Sequence, residues 1–151
     1  GVSADIAGNQ EYDGYLSPQT VQGLVRFESG ALVTARTGSA VGVPSRGYWI
    51  GGTEGGLRFD RWGQPVLLYR PEHDEPEEVA AETNNPYTVE WEDLLAAVHG
   101  EVDEPENSGR NGLENVGLGL AFYRSCETGT RVSFTDGVPD LPEDYRNTRF
   151  T

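Results

Sequence analysis

The chain has 151 residues, a net charge of −14, one cysteine and no lysine. This length predicts about one domain, and the single Cys126 excludes an intrachain disulfide framework and favours a reducing, cytoplasmic compartment. The acidic charge argues against nucleic acid as a partner, because that binding needs Lys and Arg to neutralise phosphates. No apolar run approaches the roughly 20 residues that a membrane span requires.

The acidity itself has two explanations. Salt shortens the range of charge repulsion from about 10 Å at 0.1 M to about 3 Å at 1 M, so an acidic surface is harmless in a salt-rich cytoplasm. We therefore expect a halophilic source. A mesophile whose GC-rich genome favours arginine codons is the alternative.

Short strands joined by turns are predicted for the first half of the chain. Val2 to Ala7 is a short apolar strand, and the polar stretch after it predicts a loop through Pro18. Thr20 to Glu28 and Ala31 to Thr37 are joined by Ser29-Gly30, which predicts an antiparallel hairpin. Alternation gives the first of these strands two faces: Val21, Gly23, Val25 and Phe27 on one, and Gln22, Leu24 and Arg26 on the other. The second face is partly apolar, so it is a candidate for being covered.

A second antiparallel meander is predicted from Tyr48 to Tyr69. Tyr48 to Gly52, Leu57 to Asp60 and Pro65 to Tyr69 are short strands, and a further strand is possible near Val79 to Glu82. The GGTEGG segment lacks the Lys and the Ser or Thr of a phosphate-binding P-loop. It therefore predicts a hairpin turn.

Two amphipathic helices follow. Asn85-Pro86 predicts the start of the first and Gly100 its end, whereas Ser108 and Gly129 delimit the second. Each helix has an apolar stripe at helical spacing: Trp91, Leu94, Leu95 and Val98 in the first, and Leu113, Val116, Gly117 and Leu120 in the second. A strand from Thr130 to Phe134 and an acidic, proline-containing tail that wraps a surface or moves freely complete the pattern.

The order of these motifs carries a family resemblance. FESGALVTAR, IGGTEGGLRFD, WEDLLAAVHG and NGLENVGLGLAFYRSCETGTRVSF together resemble the C-terminal domain of the glucose-fructose oxidoreductase and inositol dehydrogenase (Gfo/Idh/MocA) family. The resemblance implies an α+β (α/β two-layer) fold, an open and mostly antiparallel sheet with helices packed on one face. It also implies a substrate and oligomerisation domain over residues 1–135, with residues 136–151 as the tail.

Members of that family are NAD(P)-dependent oxidoreductases acting on sugars, polyols or related carbonyl compounds, and their open sheet face commonly packs on a second subunit. This sequence lacks the family's Gly-rich dinucleotide turn and its Glu-Lys-Pro lysine. The resemblance therefore implies that catalytic groups and NAD or NADP belong to an N-terminal dinucleotide-binding domain encoded upstream of Gly1. We expect no catalytic or cofactor-binding residue in this chain, and a homo-oligomer formed through the open sheet face on which Leu24 lies. A free-standing, non-enzymatic binding or assembly module with the same fold is the alternative.

Candidate substrate contacts lie in two polar loops. These candidates are Tyr12, Asp13 and Tyr15 after the first strand, and Arg46 and Tyr48 before the meander. Tyr and Arg hydrogen-bond sugar hydroxyls while their flat faces stack, although tyrosines that simply cover a sheet edge would give the same pattern. His73, His99 and Cys126 have no companions at ligand spacing, so we predict no metal site, and we interpret Cys126 as a small buried side chain.

Overall fold

The computed structural model describes residues 1–12, 15–38, 47–61, 63–80 and 84–145, and for 9–12 and 15–18 the backbone alone. Every strand pair in these ranges is antiparallel, which confirms the predicted α+β fold with open, antiparallel sheets. The elements in chain order are β1 Val2–Tyr12, β2 Tyr15–Arg26, β3 Leu32–Thr37, β4 Tyr48–Gly52, β5 Gly55–Phe59, β6 Val66–Tyr69, β7 Glu77–Val79, α1 Pro86–His99, α2 Gly109–Thr128, β8 Phe134–Thr135 and β9 Val138–Pro139.

The chain forms two compact units. The first contains β1, β2 and β3 as one sheet, together with α2 and the short β8–β9 pair. The second contains the four-stranded sheet β4-β5-β6-β7 and α1. The division into a domain over residues 1–135 and a separate tail stays a prediction.

The first hairpin is longer than predicted. The prediction of a loop between Ala7 and Pro18 was wrong, because the described residues of this stretch belong to β1 and β2. Gly8 has a φ of 70°, which glycine adopts without strain, and pairing resumes where Asn9 lies opposite Pro18. Polar, turn-favouring residues here are held in a strand by pairing with a partner strand, which single-sequence propensity does not capture.

The core of the first unit lies between this sheet and α2. Val2 and Ala121 are fully buried, and Val25 and Val132 complete the cluster. The alternation predicted for β2 is confirmed within the strand, since Gly23 and Val25 are buried whereas Gln22 and Leu24 are exposed. Four partly buried side chains pack around the cluster: Leu118, Phe122, Phe134 and Leu141.

The buried face of α2 shares only Gly117 with the predicted stripe. Leu113 and Val116 are 66% and 62% exposed, so their predicted burial was wrong. Gly117, Ala121 and Ser125, spaced four residues apart, form the buried face. Small residues are required here: a Cβ on Gly23 of β2 would overlap the Phe122 ring, and one on Gly117 would lie 3.0 Å from Pro139 Cδ. Glycine at these two positions leaves room for the Phe122 and Pro139 rings.

The free edge of β1 is closed by the segment after α2. Val2 and Val132 exchange backbone hydrogen bonds of 2.8 and 2.9 Å, so the strand predicted at Thr130 to Phe134 is reduced to this bridge and the start of β8. Further along the edge, the Ala4 N–H donates to Ser125 Oγ at 3.0 Å, and that hydroxyl donates to the Thr130 carbonyl at 2.8 Å. The Ser125 hydroxyl therefore connects the end of α2 to the edge strand.

The second unit confirms the GGTEGG hairpin. Gly51 pairs with Gly56 and Gly52 with Gly55, leaving Thr53 and Glu54 as a two-residue turn. β7 ends at Val79, earlier than the strand predicted up to Glu82, and residues 81–83 lie outside the described ranges.

Both helices have the predicted caps. The Asn85 side chain accepts from the Tyr87 N–H at 3.0 Å, and Ser108 Oγ accepts from the Asn111 N–H at 3.3 Å. Gly100 and Gly129 end the helices with φ values of 77° and 64°. The apolar stripe of α1 is nevertheless exposed, since that helix has no buried residue.

Candidate functional site

The five predicted substrate contacts have different outcomes. Asp13 and Arg46 lie outside the described residues. Tyr12 and Tyr15 are not loop residues: they are the last paired positions of the β1–β2 hairpin. Tyr48 is the first residue of β4, in the other unit. Backbone pairing thus brings Tyr12 and Tyr15 together.

Tyr48 belongs to an aromatic pair on the second sheet. Its ring stacks on Phe59, with centroids 4.6 Å apart and planes 15° apart, because the two residues are directly opposite in the β4–β5 ladder. The side chain remains 63% exposed. Its hydroxyl can still reach a ligand, but one ring face is already used by Phe59.

The Tyr48–Phe59 pair is part of a larger apolar face. Alternate residues of a strand point to the same side, and the register brings these positions of β4 to β7 together. Ile50 is 56% exposed and Val79 42%, and Arg70 lies 3.6 Å from Glu77 on the same side. We call this set the apolar face: Tyr48, Ile50, Leu57, Phe59, Val66, Leu68 and Val79.

The opposite side of the same sheet is mixed. Trp49, Arg58, Leu67 and Glu78 are consecutive cross-strand neighbours, which we call the Trp49 row. The Arg58 guanidinium lies 4.5 Å from the Trp49 ring centroid and donates two hydrogen bonds to Asp60, of 3.0 and 3.2 Å. The hydrogen bonds to Asp60 raise the pKa of Arg58. A cleft of about 240 Å³ lies beside Arg58, Asp60 and Glu78.

The first unit contains a larger, polar cleft of about 630 Å³. It lies over the outer side of β1 to β3 and the end of α2. Ser3 and Asp5 of β1 are cross-strand neighbours of Leu24 and Gln22, so hydroxyl, carboxylate and amide groups surround one apolar side chain. The cleft is open to solvent, and hydrogen-bond donors and acceptors are both present. The polar side chains that line this polar cleft are Ser3, Asp5, Gln22, Thr34, Thr130, Arg131 and Ser125.

A titratable cluster joins Tyr145 to the last turns of α2. The Tyr145 hydroxyl donates to Glu127 Oε2 at 3.1 Å, and Arg124 lies 5.6 Å from the Tyr145 ring centroid. Desolvation, and then the hydrogen bond to Glu127, raise the pKa of Tyr145 to about 12. The predicted tail therefore includes a segment that packs on a surface, one of its two expected behaviours.

Among the described residues, no three His, Cys, Asp or Glu side chains are grouped to hold a metal ion. His99 lies in the last turn of α1, 3.9 Å from Glu101, and Cys126 is half-buried on α2. Neither described helix combines the length and the apolar character needed to cross a bilayer.

The sequence-based candidates missed the Trp49 row and the polar cleft. The Trp49 row was accessible in principle, because a two-residue turn at Thr53-Glu54 fixes the register that pairs Trp49 with Arg58. The polar cleft could not be predicted from the sequence, since its lining depends on how α2 packs against β1. The sequence matches no family model and no curated protein.

Proposed function

We propose that the chain is the substrate-binding and oligomerisation domain of a cytoplasmic, NAD(P)-dependent oxidoreductase that acts on a sugar, polyol or related carbonyl compound in a halophile. The order of motifs supports this class. The FESGALVTAR hairpin, the GGTEGG hairpin and the two capped helices occur in the order that the resemblance to the Gfo/Idh/MocA family requires.

The observation that carries the proposal is the apolar face. Ile50 and Tyr48 are more than half exposed on a sheet side where seven of the side chains are apolar. Contiguous apolar surface of this kind marks interaction sites in soluble proteins. The charges on the same side include those of Arg70 and Glu77, which compensate each other.

The polar cleft supports the substrate-binding part of the proposal. Asp5 accepts hydrogen bonds, Arg131 donates them, and Gln22 does both, which suits a polyhydroxylated ligand. Leu24 supplies an apolar surface for its C–H groups.

The residues present do not fit a nicotinamide dinucleotide. Phosphate cradles of this type join a strand to a helix N-terminus, whereas GGTEGG joins two antiparallel strands. Both described helix starts are occupied by their own caps, Asn85 and Ser108. The cofactor is therefore assigned to the proposed N-terminal domain, and no catalytic step is assigned to this chain.

The reading frame tests the enzymatic part. It should also encode, upstream of Gly1, a strand, a Gly-rich turn and a helix. The intact product should reduce NAD⁺ or NADP⁺ with a polyol such as myo-inositol or a sugar such as D-glucose, measured as a rise in absorbance at 340 nm. Calorimetry on the 151-residue chain should show no tight binding of either cofactor. Tight binding by the chain alone would contradict the assignment.

Sedimentation in about 2 M KCl, which screens the acidic surface, tests the oligomerisation part of the proposal. Ile50→Asp places a charge on the apolar face and should dissociate the oligomer. Leu113→Asp, at an equally exposed apolar residue of α2, is the matched control and should leave it unchanged. A monomeric parent chain, or equal effects of the two substitutions, would rule out the apolar face as the interface.

The second candidate is a non-enzymatic assembly module with the same fold. The same apolar face favours it, because that face requires a partner but no cofactor. This module would oligomerise through Ile50, and its intact gene product would show no NAD(P)-linked turnover. The turnover assay therefore separates the candidates, because both predict the same sedimentation result.

A further inference from the structure

The Trp49 row combines an exposed aromatic ring with paired charges. Trp49 is 70% exposed, although Arg58 covers part of it at 4.5 Å from the ring centroid. Arg58 and Asp60 keep 33% and 45% of their side-chain surface in solvent. An indole and a carboxylate are thus held on two sides of one guanidinium, and all three groups are accessible to a ligand.

Bare backbone lies next to this ring. On the same side of the sheet, the neighbouring row is Gly51, Gly56 and Tyr69, so its two positions nearest Trp49 have no side chain. A Cβ on Gly51 would meet no atom of the described residues within 4 Å. A flat platform therefore extends beside Trp49, with room for a ring lying against the strand.

The charges select among ligand classes. Asp60 already neutralises Arg58 through two hydrogen bonds, and Glu78 adds a negative charge to the same cleft, so an anionic ligand is disfavoured. A purely apolar ligand would desolvate Asp60 and Glu78 without replacing their hydrogen bonds to water. A neutral, polyhydroxylated ring satisfies both constraints, since its C–H face packs on indole while its hydroxyls bond the carboxylates and Gln64.

From this geometry we infer that the Trp49 side of the β4–β7 sheet is a carbohydrate-binding site, with Trp49 as the stacking residue and Asp60 as the hydroxyl acceptor. The site is separate from the polar cleft and from the apolar face. It does not depend on the proposed oxidoreductase function, because stacking and hydrogen bonding require no cofactor.

Maltose, a neutral disaccharide, is the probe for this site. In ¹H–¹⁵N spectra of the chain titrated with maltose, the Trp49 indole signal should shift. Trp49→Ala should weaken maltose binding roughly tenfold, since it removes about 1.4 kcal/mol of stacking. Gly51→Val, which fills the platform without changing charge, and Asp60→Asn should each weaken it as well.

Trp91→Ala is the matched control, because Trp91 on α1 is 65% exposed but belongs to an otherwise apolar stripe. It should leave maltose affinity unchanged. Three results would each overturn the site: no shift of the Trp49 indole at any soluble maltose concentration, equal losses in the Trp49→Ala and Trp91→Ala variants, or a Trp49→Ala variant that changes sedimentation but not maltose binding. The last result would identify Trp49 as a protein interface residue. None of them bears on NAD(P)-linked turnover.

Discussion

The Ser125 hydroxyl should contribute measurably to the stability of the first unit. It is 3% exposed, accepts the Ala4 N–H at 3.0 Å and donates to the Thr130 carbonyl at 2.8 Å. Ala4 lies on the outer edge of β1, just beyond the bridge between Val2 and Val132, where no strand of the described residues pairs with it. Ser125→Ala removes the hydroxyl without changing the shape of the helix face.

The loss follows from the two hydrogen bonds. Leaving the half-buried Ala4 N–H unpaired costs about 1–3 kcal/mol, whereas the Thr130 carbonyl belongs to an exposed residue and regains water at little cost. Alanine has a higher helix propensity than serine, so the substitution also raises the free energy of unfolding by about 0.5 kcal/mol. The net destabilisation should be about 0.5–2.5 kcal/mol, equivalent to a fall in Tm of about 1–10 °C for a chain of this size.

Urea unfolding followed by far-UV circular dichroism measures this loss, and amide hydrogen exchange at Ala4 localises it. Ser29→Ala is the control, because Ser29 Oγ accepts the Ala31 N–H at 3.4 Å in an exposed turn and should cost less than about 0.5 kcal/mol. If Ser125→Ala is as mild as Ser29→Ala and the Ala4 amide stays protected, the reasoning is refuted, because water then replaces the hydroxyl.

Three further predictions concern packing, pH and salt. Gly23→Ala should destabilise the chain by about 1–3 kcal/mol, because the new methyl overlaps the Phe122 ring, and Phe122→Leu in the same chain should recover part of the loss in urea titrations. Tyr145 holds its proton more tightly when folded, since its pKa is raised from 10.0 to about 12. This contribution to folding stability is complete below pH 10 and is lost as pH rises to about 12. The urea midpoint of Tyr145→Phe should therefore decline less steeply over that interval than the midpoint of the parent chain. With a net charge of −14, the Tm should rise with KCl, and a Tm that is flat from dilute to molar salt would contradict the halophile hypothesis.

Local signals in the sequence predicted those features whose physics is local. Asn85, Gly100, Ser108 and Gly129 were placed correctly as helix limits, because capping depends on backbone groups within one turn. The GGTEGG hairpin was predicted for the same reason, since glycines and a two-residue turn determine its geometry.

Features that depend on distant partners were predicted poorly. The β1–β2 hairpin continues through residues that favour a loop, because each strand supplies hydrogen bonds to the other along its length. The α2 helix buries Gly117, Ala121 and Ser125 rather than the more hydrophobic Leu113 and Val116. Periodicity ranks faces by hydrophobicity, whereas packing against β1 also requires side chains small enough for close contact.

The exposed stripe of α1 extends this argument to function. Trp91 and Val98 are 65% and 71% exposed, although their spacing is typical of a helix face that packs on a core. The apolar face of the same unit is also left in solvent. Full burial of one such side chain contributes about 1.5–3 kcal/mol, so two uncovered apolar surfaces are a substantial driving force for association. Ile50 and Trp91 belong to different surfaces. If both surfaces are interfaces, Ile50→Asp and Trp91→Asp should weaken self-association independently. If only the apolar face is an interface, Trp91→Asp should have no effect. Sedimentation of the two single variants and the double variant distinguishes these outcomes.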